Sequence, residues 1–178
     1  MLTLRPASSS DAERLTLIGL AAWEVAITAW GEDLEKLRTN AWRAYADFCA
    51  TSWTDITVAE WDGEPAGWGA CENAEDEISD LWVLPAYQGR GIGTRLIEEL
   101  EEQIRARGYH QARIATHARN VGAIRLYKAL GYRVTSYAVS YEASLDTDID
   151  KVEMLKSFDD VDAREAEVEG DDWLYGNA

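Results

Sequence analysis

The stretch Leu81-Trp82-Val83-Leu84-Pro85-Ala86-Tyr87-Gln88-Gly89-Arg90-Gly91-Ile92-Gly93-Thr94 decides how this chain is read. It opens as a strand that Pro85 ends. Gly89, Gly91 and Gly93 then alternate, so the backbone can turn tightly and approach a ligand with no Cβ in the way. Beyond them Ile92, Leu96, Leu100 and Ile104 recur every fourth residue, the spacing of one helix face. The turn therefore presents unpaired amides at a helix N-terminus, where the dipole favours an anion. A pyrophosphate is the natural guest, with Arg90 and Arg95 as nearby cations for further phosphates. Close helix–strand packing would also call for such glycines. A phosphate-loop NTPase needs Gly-Lys-Ser/Thr after a longer loop, and Gly93-Thr94-Arg95 stands here instead. A dinucleotide fold needs an acid at the end of the next strand, which here reads Ala115-Thr116-His117.

Working outward, Leu2 to Arg5 alternates as a short strand before Pro6. Ser10-Asp11-Ala12-Glu13 fits a capping box, and Leu15, Ile18 and Ala22 continue one helical face. A second helix is expected from Glu32 to Cys49, with Leu34, Leu37, Ala41 and Tyr45 on one side. Asp55 to Trp61 and Pro65 to Cys71 read as strands about an Asp62-Gly63 hairpin turn. Glu77 to Leu84 reads as one further strand. Gly108 stands where a helix C-cap glycine belongs, Gln111 to His117 is a strand, and Asn120 can cap a short helix ending at Gly131. Tyr132 to Tyr141 and Lys151 to Leu155 are the last strands. The fold class is α/β, an α+β arrangement with a mixed sheet.

The 178 residues suit one domain, with 47% hydrophobic and 28% charged residues. No apolar run is long enough to span a bilayer and the N-terminus has no signal-like pattern, so the cytoplasm is the default expectation. Cys49 and Cys71 lack metal-ligand spacing and read as reduced thiols. A formal net charge of -16 repels phosphate backbones, argues against nucleic acid, and favours a cationic partner. Asp159 through Asp172 is strongly acidic, with Arg164 its lone basic residue, and reads as a flexible tail over 157–178 behind a domain over 1–156.

Gln88-x-x-Gly91-x-Gly93 after Val83-x-Pro85 resembles the acetyl-CoA signature of the GNAT N-acetyltransferase superfamily. Asn120-x-x-Ala123-x-x-Leu126-Tyr127-x-x-Leu130-Gly131-Tyr132 resembles its second motif, and Lys151 to Lys156 its closing strand. The resemblance implies a single-domain fold whose central sheet splays open, flanked by helices, with acetyl-CoA wedged in the gap. It implies that Leu81, Trp82 and Val83 offer backbone groups to the pantetheine arm and acetyl carbonyl. Gln88 belongs to the signature; Gly89, Arg90, Gly91, Ile92, Gly93 and Thr94 would hold the pyrophosphate, and Asn120 would contact the cofactor arm. It also implies an acceptor that is a small-molecule or peptide amine, and homodimers are frequent in the family. No metal is implied.

An amine attacks a thioester only when neutral, and a lysine-type amine is neutral in roughly one molecule in a few thousand at pH 7. A base or a desolvating pocket must help, an acid must aid the departing thiolate, and an amide must meet the oxyanion. The resemblance implies Tyr127 as the acid, where a generic tyrosine on this helix would read as a core aromatic. Glu77 is the preferred base, with Asp80 second. The two point to opposite faces of a regular strand and reach one cleft only if a bulge intervenes. His117 is a candidate proton carrier, though a strand-end histidine is more often a satisfied polar residue. His110 reads as surface. Trp23, Trp30, Trp42 and Trp53 cluster where the family walls its acceptor, or fill the core; Trp61 and Trp68 pack the sheet. Two other readings are a non-catalytic acyl-CoA-binding sensor and an acidic tail that docks a basic partner.

Overall fold

The computed structural model describes residues 1–30, 34–72, 74–142 and 147–159. The elements run β1 (Leu2–Pro6), α1 (Ala12–Trp30), α2 (Leu34–Thr51), β2 (Ile56–Trp61), β3 (Glu64–Ala70), β4 (Glu77–Ile78), β5 (Asp80–Val83), α3 (Ile92–Ala106), β6 (Gln111–His117), α4 (Val121–Ala129), β7 (Arg133–Glu142) and β8 (Thr147–Ser157). The expected acidic tail lies, from residue 160 on, outside the described residues. Before it, Phe158 is buried against the core of α3, β6 and β8.

Helix positions follow the apolar spacing. Leu15, Ile18 and Ala22 of α1 are buried, as are Leu37, Ala41 and Tyr45 of α2. Both helices pack on β3 through Trp68, which is fully buried. Its indole N–H donates to the Leu15 carbonyl at 2.9 Å, and Phe48 stacks on its ring at 6.0 Å. Ile92, Leu96, Leu100 and Ile104 of α3 are at most 1% exposed, each contributing about 1.5–3 kcal/mol of apolar burial. Helix α3 can lie this close to β3 because Gly67 has no side chain: a Cβ there would stand 2.8 Å from the Trp82 carbonyl oxygen and 3.3 Å from Ile92 Cγ2.

Two details differ from the sequence reading. The capping box is set two residues earlier than Ser10-x-x-Glu13: the Ser8 amide and hydroxyl both donate to the Asp11 carboxylate at 2.7 Å. Arg5 on β1 grips Asp11 through both terminal nitrogens at 2.9 Å, which draws the cap to this register. The second difference shapes the site. Glu77 to Leu84 is not one strand. Glu77 and Ile78 pair in parallel with Arg113 and Ile114 of β6, while Asp80 to Val83 pair antiparallel with β3. Ser79 sits between, its amide donating to the Ala70 carbonyl at 3.1 Å. The expected splayed sheet is thus two four-stranded sheets, β1-β2-β3-β5 and β4-β6-β8-β7, that part at this residue.

Candidate active site

Parting the sheets leaves β5 paired on one side alone and β6 without a β4 partner beyond Ile114. A cavity of about 410 Å³ opens between them, walled by α1 and α2 on one side and by β6, β8 and α4 on the other. Both carboxylates expected on a single strand line it, Glu77 and Asp80, as do Leu81, Trp82, Asn120 and Tyr127. The break at Ser79 supplies the bulge that alternation alone forbids.

Asp80 is 8% exposed. It accepts from the Ser79 hydroxyl at 3.0 Å and from the Trp82 indole N–H at 2.9 Å. The Ser79 hydroxyl oxygen in turn accepts from the Glu72 amide at 2.7 Å, tying the loop before β4 to the same point. Glu77 lies 3.6 Å from Arg113 Nη1, and Arg113 also makes a bidentate contact with Asp76 at 2.7 and 3.0 Å.

Tyr127 is 5% exposed on α4, its ring against Tyr132 at 6.1 Å. Burial pushes its phenol well above the usual tyrosine range, so it holds its proton at neutral and moderately alkaline pH. Its hydroxyl has no hydrogen-bond partner among the described residues. His117 is buried and lines the cavity. Its Nδ1 accepts the Arg119 amide at 3.0 Å, which in a neutral ring puts the proton on Nε2. Asn120 caps α4: its Oδ1 accepts from the Ala123 amide at 3.2 Å and its Nδ2 donates to Thr116 Oγ1 at 3.1 Å. One hydrogen of Nδ2 is thereby left uncommitted for a ligand.

The glycine turn adjoins this cleft. Gln88 Nε2 donates to the Val83 carbonyl at 3.1 Å, closing the end of β5 onto the turn and occupying one acceptor expected for the cofactor arm. Gly89 and Gly91 have φ of 73° and 81°, in the left-handed region that favours glycine. A Cβ at either would meet nothing within 4 Å, and Gly91 caps α3 with no side-chain bond. The Arg95 amide is bonded to the Gly91 carbonyl at 3.1 Å, so the amides of Ile92, Gly93 and Thr94 are those a helix leaves unpaired. Open space, orphan donors and a helix dipole fit a diphosphate. Arg90 is held between Trp61 and Tyr87, its guanidinium 5.2 Å from each ring. Arg95, by contrast, is paired with Glu98 at 2.6 Å.

Of the tryptophans, Trp23 is both buried and part of the cavity wall. Trp42 does neither job: it is 48% exposed, because it sits one residue past Ala41 and off the buried stripe. Trp53 packs against the core, and the side chain of Trp30 lies outside the described residues. Sequence reading missed Tyr45 and Phe48 as cavity residues, since helical spacing marks them simply as core. It also missed Ser79, for which no sequence signal exists. Both cysteines are free thiols, and burial pushes Cys49 up to about 11. His110 is exposed, 3.3 Å from Asp159. No described helix is long and apolar enough to cross a membrane, and no metal-binding cluster occurs among the described residues.

A family model described as the Acetyltransferase (GNAT) family matches residues 20–132. An uncharacterized N-acetyltransferase of Methanocaldococcus jannaschii is 38% identical over 84 residues, 42% of this chain and 37% of that protein. The thialysine N-epsilon-acetyltransferase of Mus musculus is 41% identical over 54 residues, 30% of this chain and 32% of that protein. The match thus spans about a third of either relative's length. The crystal structure of PaiA N-acetyltransferase from Thermoplasma acidophilum in complex with coenzyme A superposes with a TM-score of 0.73 at 21% identity, over 88% of this chain and 99% of that one. A GCN5-related N-acetyltransferase structure from Rhodopseudomonas palustris gives a TM-score of 0.73 at 24% identity, over 87% and 94%. At these identities the structural likeness speaks for the fold.

Proposed function

The chain belongs to the GNAT acetyltransferase family, and from that premise we propose that it moves an acetyl group from acetyl-CoA to a primary amine by direct attack on the thioester. The observation that carries the reading is a carboxylate and a protonated phenol in one cavity, Asp80 and Tyr127, beside a glycine turn with unpaired helix amides. Acetyl-CoA supplies a thioester whose acyl carbon accepts a nucleophile and whose thiol departs.

The chain's own groups divide the remaining work. The amides from Gly89 to Thr94 hold the diphosphate, and the open edge of β5 from Leu81 to Val83 offers backbone groups to the arm, joined by Asn120. Asp80 takes the proton of the acceptor ammonium, directly or through one water. It is favoured over Glu77 because it is buried in the wall, with its carboxylate fixed by the Ser79 hydroxyl and the Trp82 indole, whereas Glu77 lies against the exposed Arg113. After attack forms the C–N bond, the adduct nitrogen sheds its second proton through water as the C–S bond breaks; Tyr127 protonates the departing sulfur and is reprotonated from that water, and Asp80 returns its proton to solvent.

The test is thiol release from acetyl-CoA over a panel of amines, with an acetylated product identified by mass. Tight acetyl-CoA binding with no thiol released by any amine refutes transfer and leaves the acyl-CoA sensor.

A further inference from the structure

The cavity is divided by chemistry. Among the described residues, those that α1 and α2 contribute to its wall are apolar or aromatic: Trp23, Ala26, Ile27, Ala44, Tyr45 and Phe48. Its carboxylates come from the opposite side, Glu72 before β4, Glu77 on it and Asp80 at the start of β5. The two halves join at Trp82, whose indole N–H donates to Asp80 at 2.9 Å and whose ring meets Tyr45 edge-on at 5.3 Å. We infer that the acceptor is a small primary amine carried on an aromatic body, with its ammonium drawn to the carboxylates and its ring lodged against α1 and α2. This rests on the acetyl-transfer reading above.

Physical exclusions narrow the class. A polyamine would carry a second ammonium against apolar and aromatic side chains, where no described α1 or α2 residue of the wall offers it a carboxylate. An α-amino acid would set its own carboxylate beside those of Glu72, Glu77 and Asp80, with Lys151 the one lysine of the described wall. A volume of about 410 Å³ that the thioester end must share through Thr116, Asn120 and Tyr127 suits a compact ligand. A ring against Trp23, Tyr45 and Phe48 gains apolar burial and edge-to-face contacts, and the aromatic faces also attract the ammonium as it passes. The net charge of -16 adds a long-range pull on cations.

The experiment uses the full chain with acetyl-CoA and four acceptors: 2-phenylethylamine, ethylamine, spermidine and L-phenylalanine. The expected kcat/KM for 2-phenylethylamine exceeds that for ethylamine by about 30-fold or more, the gain from taking a phenyl ring out of water. Ala26→Phe, which fills the apolar half, should shrink that ratio below about 5-fold. Preference for spermidine or L-phenylalanine overturns the inference, as does a ratio near one or a ratio that Ala26→Phe leaves untouched. Calorimetric titration of 2-phenylethylamine into the coenzyme A complex keeps the two readings apart. Binding without thiol release supports the aromatic-amine cavity and refutes transfer; thiol release without aromatic preference refutes the inference alone. Neither binding nor release refutes both.

Discussion

Tyr127→Phe removes one oxygen from the cavity, and the structure says what each readout should do. The side chain is only 5% exposed, and its hydroxyl, at the cavity, has no hydrogen-bond partner among the described residues. Deleting it breaks no bond, so thermal stability should hold within about 1 kcal/mol. The ring remains against Tyr132, so packing is unchanged. Turnover should fall. General acids contribute about 10²–10⁴-fold, and the most effective have a pKa near the working pH. Burial has moved Tyr127 the other way, so its effect belongs near the lower end, about 100-fold or 2.7 kcal/mol of barrier. The pH axis gives a second readout. A phenol with the ordinary pKa of about 10 would lose half its acid form there. Because the active form is the protonated one and the shift is upward, the wild-type rate should hold through about pH 10 and decline only above it. The assays are steady-state thiol release at saturating acetyl-CoA, coenzyme A affinity by titration, and a thermal melt. A Phe variant with wild-type turnover, or one that loses coenzyme A affinity and turnover in equal measure, refutes the acid assignment.

Three other perturbations have defined outcomes. Asp80→Asn should reduce kcat about 100-fold or more, while Glu77→Gln changes it less than tenfold; the reverse order would return the base to Glu77. Gly91→Asp and Gly91→Asn impose a similar left-handed strain, about 1–2 kcal/mol, in open space, but only the carboxylate repels a diphosphate. Coenzyme A affinity should therefore drop at least about 100-fold further in Asp than in Asn, and equal affinities by titration would remove the anion cradle. Gly67→Ala drives a Cβ to within 2.8 Å of the Trp82 carbonyl oxygen, a backbone atom that cannot swing aside. A loss of about 1–3 kcal/mol in denaturant unfolding, with poorer coenzyme A binding as α3 and β5 shift, is expected; an unchanged midpoint would mean that the two pack less tightly than described.

Sequence alone determined whatever depends on neighbours in the chain. The every-fourth apolar spacing of α3 and the Asp62-Gly63 turn are local rules, and each reappears in place. So do Asn120 as a cap and the glycine turn that opens α3, because backbone geometry over a few residues needs no distant partner. Tertiary structure decided the rest. Ser8, not Ser10, caps the turn that leads into the first helix, with Asp11 held by Arg5 on a separate strand. Trp42 faces outward although its neighbour Ala41 is buried. Above all, Glu77 and Asp80 share a cavity because Ile78 pairs with Ile114 while Asp80 pairs with Ala70, so that two partners far apart in sequence pull one strand into two. A period of two predicts opposite faces, and here competition between long-range hydrogen bonds breaks that period, which is why the meeting of these two carboxylates lay beyond the reach of local pattern.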